Sequence, residues 1–231
     1  MAKFCIHCGK KLEDGEVCNC RASQNVVANG NMGTDMLEVL KGMFARPIDT
    51  LKAYTDGKHF SLALILLGIL AIVTALFTCS LVKNSADALF GSFGSASLYS
   101  MAMTQVEVSY LKVFFTALVV FIIFVFIYTG LLYLVNSVIF KGDKDFKKVF
   151  TMYGIVSVIS SVTLLVSSIF MFVHFALGFI VLTLGMLLNM VYTYKGIEFL
   201  GVKDQNKHGY IYLLTAVFYA IVLAILMLIL S

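Results

Sequence analysis

The run from Val149 to Tyr194, VFTMYGIVSVISSVTLLVSSIFMFVHFALGFIVLTLGMLLNMVYTY, decides the fold. Its only group that could be charged near neutral pH is His174. As a single helix it would reach about 69 Å at 1.5 Å per residue, more than twice the ~30 Å of hydrocarbon in a bilayer. The run therefore reads as two membrane crossings that turn near Phe172 to Phe175. Outward from it lie three more stretches free of charged side chains: the residues between His59 and Lys83, where Cys79 is the one ionisable group, Val113 to Phe140, and Gly209 to Ser231, tyrosines aside. Each exceeds the ~20 residues needed to span the hydrocarbon. The expectation is an all-α membrane protein with about five transmembrane helices, over 60–82, 111–140, 149–172, 175–195 and 209–230.

Composition agrees. Of 231 residues, 60% are apolar and 13% charged, and the mean hydropathy is +0.95. A water-soluble fold has too little interior to hide that much apolar surface. The net charge of +4 matters less than where the charges sit. Segment 1–59 holds eight Lys and Arg, loop 141–148 four and loop 195–208 three, whereas the alternate side has only Lys83 and Lys112. Basic residues stay on the cytosolic face, so the N-terminus is expected in the cytosol and Ser231 outside, in a multi-pass protein of the cell membrane. Tyr192, Tyr194, Tyr210 and Tyr212 cluster at the same cytosolic interface. Residues 1–58 are polar or amphipathic, so the first crossing is expected to act as the insertion signal, with no cleaved leader.

Four of the five cysteines fall within the first 20 residues, in the pattern C-x2-C-x9-C-x-C: Cys5, Cys8, Cys18 and Cys20. Two tight turns at this spacing can each present two thiolates to one tetrahedral Zn²⁺, with Gly9 easing the backbone after the first pair. Twenty residues build no core of their own, so a bound structural zinc would supply the folding energy of a small four-cysteine zinc ribbon over 1–20. Thiol exchange is the competing use of C-x-x-C, but it belongs to a strand-helix context in a larger domain, and a second cysteine pair in a reducing compartment favours metal. The tight C-x-C half leaves His7 as a substitute ligand. Cys79, far away in the first crossing, reads as a small apolar packer.

Lys3, Lys10, Lys11 and Arg21 raise the question of nucleic acid. They face Glu13, Asp14, Glu16 and a four-thiolate zinc centre carrying two negative charges, which leaves the module at about −1, without the basic surface that phosphate binding needs.

Residues 21–33 are polar and Gly/Asn-rich and read as a flexible linker of ~20 Å reach. Over 34–58, Leu37, Leu40, Phe44, Ile48 and Leu51 recur at helical spacing against Lys41, Arg46, Asp49 and Lys52, which predicts amphipathic helices lying in the interface, with Pro47 opening the second. Residues 59–231 form the transmembrane domain, in which 83–110, rich in Gly, Ser and Ala, reads as an outer loop.

Inside the crossings no Asp, Glu, Lys or Arg sits at mid-bilayer depth, where ion-coupled transporters place such groups. Asn136 and Asn189 read as interhelical hydrogen-bond partners. Ser157, Ser160, Ser161, Ser167, Ser168, Gly178 and Gly185 read as small residues that let helices approach closely. His174 has no evident carboxylate to orient it, and His7, His59 and His208 are scattered, so no catalytic residues are assigned and no enzyme is expected.

Three segments also carry a family resemblance: Leu40-Lys-Gly-Met-Phe-Ala-Arg-Pro47 before the first crossing, Asp145-Phe-Lys-Lys-Val-Phe-Thr-Met-Tyr153 entering the third, and Tyr194-Lys-Gly-Ile-Glu-Phe-Leu-Gly-Val-Lys203 leaving the fourth. Over about 37–230 the chain resembles Yip1-type membrane domains, though it lacks the proline that many of them carry soon after the position of Tyr153. The resemblance implies a five-helix membrane fold; a zinc ribbon joined to it resembles an arrangement in bacterial membrane proteins. Eukaryotic members are implicated in vesicle traffic and contact with small GTPases, a role the resemblance does not extend to a bacterial relative.

The expected function is a non-catalytic adaptor or scaffold: the membrane domain packs in the bilayer and the cytosolic ribbon engages a protein partner. The alternative is a small-solute or ion transporter or channel with the ribbon as a regulatory cap. Assembly with itself or with another chain is open to either.

Overall fold

The computed structural model of the chain describes residues 3–4, 11–12, 32–91 and 109–230, with backbone alone for 3–4, 11–12, 84–91 and 230. Two short strands, β1 (Lys3–Phe4) and β2 (Lys11–Leu12), pair antiparallel, with Lys3 opposite Leu12 and Phe4 opposite Lys11. All other described elements are helices: α1 (Met32–Ala45), α2 (Pro47–Tyr54), a 3-10 turn at Gly57–His59, α3 (Phe60–Gly91), α4 (Tyr110–Leu134), α5 (Phe146–Val173), α6 (Phe175–Ile197) and α7 (Gln205–Leu230). Five of them, α3 to α7, are long and apolar enough to cross a membrane.

The 149–194 run breaks where its length requires. α5 ends at Val173, His174 is extended (φ −159°, ψ 125°), and α6 begins at Phe175. The His174 side chain takes over as helix cap: its Nδ1 accepts from Ala176 N at 3.3 Å. α5 and α6 thus fold back on each other through a single residue.

Helix limits differ from the crossings read in the sequence because helices run past the hydrocarbon into polar caps. α5 starts at Phe146, ahead of Lys147 and Lys148, because the Asp145 carboxylate accepts from Lys147 N at 2.9 Å. α7 starts at Gln205, where Asp204 accepts from Asn206 N at 3.0 Å. α3 continues to Gly91, through the beginning of the stretch read as an outer loop.

α5 is the hub. It packs most extensively against α6 and α3, and also touches α4, α1 and α2. Small residues allow the closeness: a Cβ added at Gly154 would lie 2.6 Å from Ala63 Cβ and 2.8 Å from Ala63 Cα, so α3 and α5 meet almost backbone to backbone. The outer surfaces of α6 and α7 are apolar and exposed, as lipid-facing helices require.

The amphipathic segment read as lying in the interface also packs into the bundle. Val39, Met43, Leu51 and Tyr54 are fully buried in one core with Leu62, Leu132, Val149, Met152, Ile197, Leu200 and Ile211. α1 and α2 therefore close one end of the bundle. Of the stripe named above, Leu51 is in that core, Leu40 packs against it, and Leu37, Phe44 and Ile48 are exposed. The chain bends at Arg46-Pro47, which lets the segment carry two apolar faces, one inward and one outward. Burying a side chain such as Met43 or Leu51 is worth about 1.5–3 kcal/mol.

Candidate functional site

Cys5, Cys8, Cys18 and Cys20 lie outside the described residues, as does His7. Phe4 and Lys11, the described residues nearest in sequence to Cys5 and Cys8, pair antiparallel. The chemistry of a four-sulfur donor set fits Zn²⁺. Among the described residues no group of three or more His, Cys, Asp or Glu is placed to hold a metal. Cys79 is a free, half-exposed thiol whose Sγ lies 3.6 Å from Tyr110 O, between α3 and α4.

The bundle end closed by α1 and α2 also gathers the connections 140–145 and 198–204. Asn136 ties them together. The last turn of α4 widens into a π-turn over Val135–Ile139, closed by Phe140 N donating to Val135 O at 3.1 Å. This places Asn136, fully buried, against both loops: its Nδ2 donates to Leu200 O at 3.2 Å and to Asp143 O at 3.5 Å, and its backbone carbonyl accepts from Gly142 N at 2.8 Å. Asp143 N donates to the same Leu200 O at 2.9 Å, while the Asp143 carboxylate pairs with Lys148. Gly201, at φ +86°, packs directly against Asp143, a backbone geometry and a closeness that exclude a side chain. His208, read in the sequence as one of several scattered histidines, is buried here, with Nε2 2.7 Å from Val202 O.

Tyr54 and Glu38 join α2 to α1 at the same end, the phenol donating to Oε2 at 2.8 Å. The Tyr54 ring meets the His59 ring edge-on at 4.9 Å, and His59 Nδ1 is 2.5 Å from the Asp56 carboxylate. Burial, then the Glu38 hydrogen bond, push the Tyr54 phenol well above its ordinary range, so it stays protonated as a donor. These contacts are those of a joint: among the described residues, the carboxylates of Glu38, Asp56 and Asp143, Asn136 Nδ2 and His208 Nε2 are engaged with backbone or side-chain partners, while Asn136 Oδ1 and His208 Nδ1 are buried without one.

A cavity of about 420 Å³ sits higher in the bundle, between α3, α4, α5 and α6. Leu70, Phe121, Tyr153, Ser160, Met186 and Asn189 are among its lining. Asn189 is an interhelical partner: its Nδ2 donates to Ser160 Oγ at 2.6 Å, and its Oδ1 accepts from Thr193 at 3.3 Å. Ser167 also bridges α5 and α6, donating to Gly178 O at 2.7 Å, whereas Ser157, Ser161 and Ser168 bond to carbonyls of their own helix. Gly185 brings α6 hard against Thr163. The sequence marked Asn189 and these small residues; the cavity needed the packing of four helices and had no local signal.

A Yip1 domain matches residues 41–229, from within α1 to the last turn of α7. The chain belongs to the Yip1 family. No curated protein and no solved structure matches it. The Yip1 match covers the end of α1, all of α2, the Asn136 joint and the mid-bundle cavity, and leaves the cysteine segment outside. Yip1 proteins are non-catalytic multi-pass membrane proteins, and the joint just described has the chemistry of assembly.

Proposed function

We propose that this Yip1 protein is a membrane adaptor whose N-terminal four-cysteine zinc ribbon engages a protein partner in the cytosol. The observation that carries the reading is the burial of Val39, Met43, Leu51 and Tyr54 in the bundle core. It makes α1 and α2 a fixed platform at one end of the membrane domain, to which residues 1–31 are joined in sequence. The ribbon (1–20) on its linker (21–33) then samples only the first ~20 Å beyond that platform, a geometry suited to recruitment at the membrane surface.

Cys5, Cys8, Cys18 and Cys20 hold the ion, whose task is structural: it fixes two turns as a rigid recognition surface. The described membrane spans offer no charged group at mid-depth to couple transport to an ion gradient, which favours the adaptor over the transporter. The basic end of the bundle, with α1, α2 and loops 141–145 and 198–204, faces the cytosol, and α7 ends outside.

Two measurements test this. Purified protein binds about one zinc per chain by elemental analysis, and Cys5→Ser/Cys8→Ser loses it while the membrane domain keeps its melting temperature. Cross-linking in native membranes at equal abundance recovers a cytosolic protein with the intact chain and not with Cys5→Ser/Cys8→Ser. Equal recovery from both, or none from either, would refute recruitment by the ribbon.

A further inference from the structure

We propose that the mid-bundle cavity is a binding site for one uncharged glycerolipid of the diacylglycerol class, entered sideways from the hydrocarbon. Its depth comes first. Ser160 lies halfway along α5, Gly185 and Met186 near the middle of α6, and Leu70 and Thr74 ten to fourteen residues into α3, roughly 15–21 Å from its start at 1.5 Å per residue. The cavity is therefore at mid-bilayer depth.

Its mouth comes second. Met186 and Met190 line the cavity and are 59% and 47% exposed on the outer surface of α6, which at this depth faces lipid tails. What enters comes from the bilayer.

Its lining decides the class of occupant. The wall is apolar apart from Thr74, Tyr153, Ser160, Thr163 and Asn189. Ser160 Oγ accepts from Asn189, which leaves its own proton to donate. The hydroxyls of Tyr153 and Thr163 have no hydrogen-bond partner among the described residues, and the Thr74 hydroxyl is buried without one. Hydrocarbon supplies no partner for such groups, so leaving them empty-handed is costly.

An occupant with hydroxyl and ester oxygens meets that need. A phosphate does not, because no Lys or Arg is among the lining residues to neutralise it at this depth. The volume, about 420 Å³, is in the range of small-molecule pockets and fits a glycerol head with the first part of its chains, the rest leaving past Met186 into the bilayer. The inference stands apart from the zinc ribbon and survives its failure.

The test uses the full-length protein in nanodiscs with two photoreactive probes of identical diazirine-bearing chains, one a diacylglycerol and one a phosphatidylglycerol. The diacylglycerol probe is expected to label peptides around Ser160 and Met186, and unlabelled diacylglycerol to compete. Tyr153→Phe and Thr74→Val, each removing a hydroxyl at nearly constant volume, are expected to lower that labelling about fivefold apiece, as the loss of one hydrogen bond implies, without changing labelling elsewhere or the melting temperature. Equal labelling by both probes, or labelling that neither variant changes, would mean that ordinary lipid tails fill the space, and would overturn the proposal.

Discussion

Asn136 shows what a single polar residue does at the end of a membrane helix. The sequence marked it as an interhelical partner, and its amide instead holds two loops that are far apart in the chain. The distance in sequence, 64 residues between Asn136 and Leu200, hides the contact from any local pattern. Asn136→Ala removes the donor that both loops share inside the joint and is expected to cost about 1–3 kcal/mol, read as a lower melting temperature in detergent.

Tyr54 makes a pH-dependent prediction. A phenol whose folded value lies above its unfolded one holds its proton more tightly when folded; the stabilisation is complete below the ordinary value of 10.0 and fades as pH rises above it. Docking of α1 and α2 should therefore weaken above about pH 10, seen as a melting temperature in detergent that falls as pH rises, and Tyr54→Phe should reduce that fall.

At the scale of elements, the sequence was most legible where hydrophobic length alone decides. The five crossings and the break near His174 follow from the reach of a helix and the thickness of hydrocarbon. Helix ends were less legible, because absence of charge marks the hydrocarbon, whereas Asp145 and Asp204 carry the helices into water. The inward face of α1, Val39 and Met43, was missed because Leu37, Leu40 and Phe44 form an equally regular apolar stripe, and periodicity cannot say which of two faces finds the core.

Helix packing is also testable at this scale. Gly154→Ala forces α3 and α5 apart at Ala63 and should destabilise by about 1–3 kcal/mol. Ala63→Gly in the same chain should restore only part of the loss, since it removes the Cβ contact at 2.6 Å but leaves Ala63 Cα 2.8 Å from the new methyl. A melting-temperature cycle of the two single variants and the double decides it.

For the whole molecule, the distribution of Lys and Arg gives an orientation that thiol labelling can check. A cysteine at Lys144, exposed on the basic end, should be shielded from a membrane-impermeant reagent in intact cells, and one at Ser95 should react. Gly142 in the same loop does not accept a side chain, which would strike Asn136. The reverse pattern would invert the protein and put the cysteine module outside the cytosol. Here the sequence carried the charge asymmetry and the C-x2-C-x9-C-x-C spacing, whereas the cavity and the joint exist only once helices distant in sequence have met.

The core that seals the basic end draws on Val39 and Met43 near its start and on Leu200 and Ile211 near its finish. A ribosome makes these residues roughly ten seconds or more apart, since synthesis adds roughly 5–20 residues per second, whereas helices form in about a microsecond. The first helices made must wait, apolar side up, at the membrane surface until the last crossing is in place. Biogenesis of this chain thus has a vulnerable interval built into it, in which α1 and α2 are synthesised but unseated, and truncations or slow insertion of α7 should expose them first.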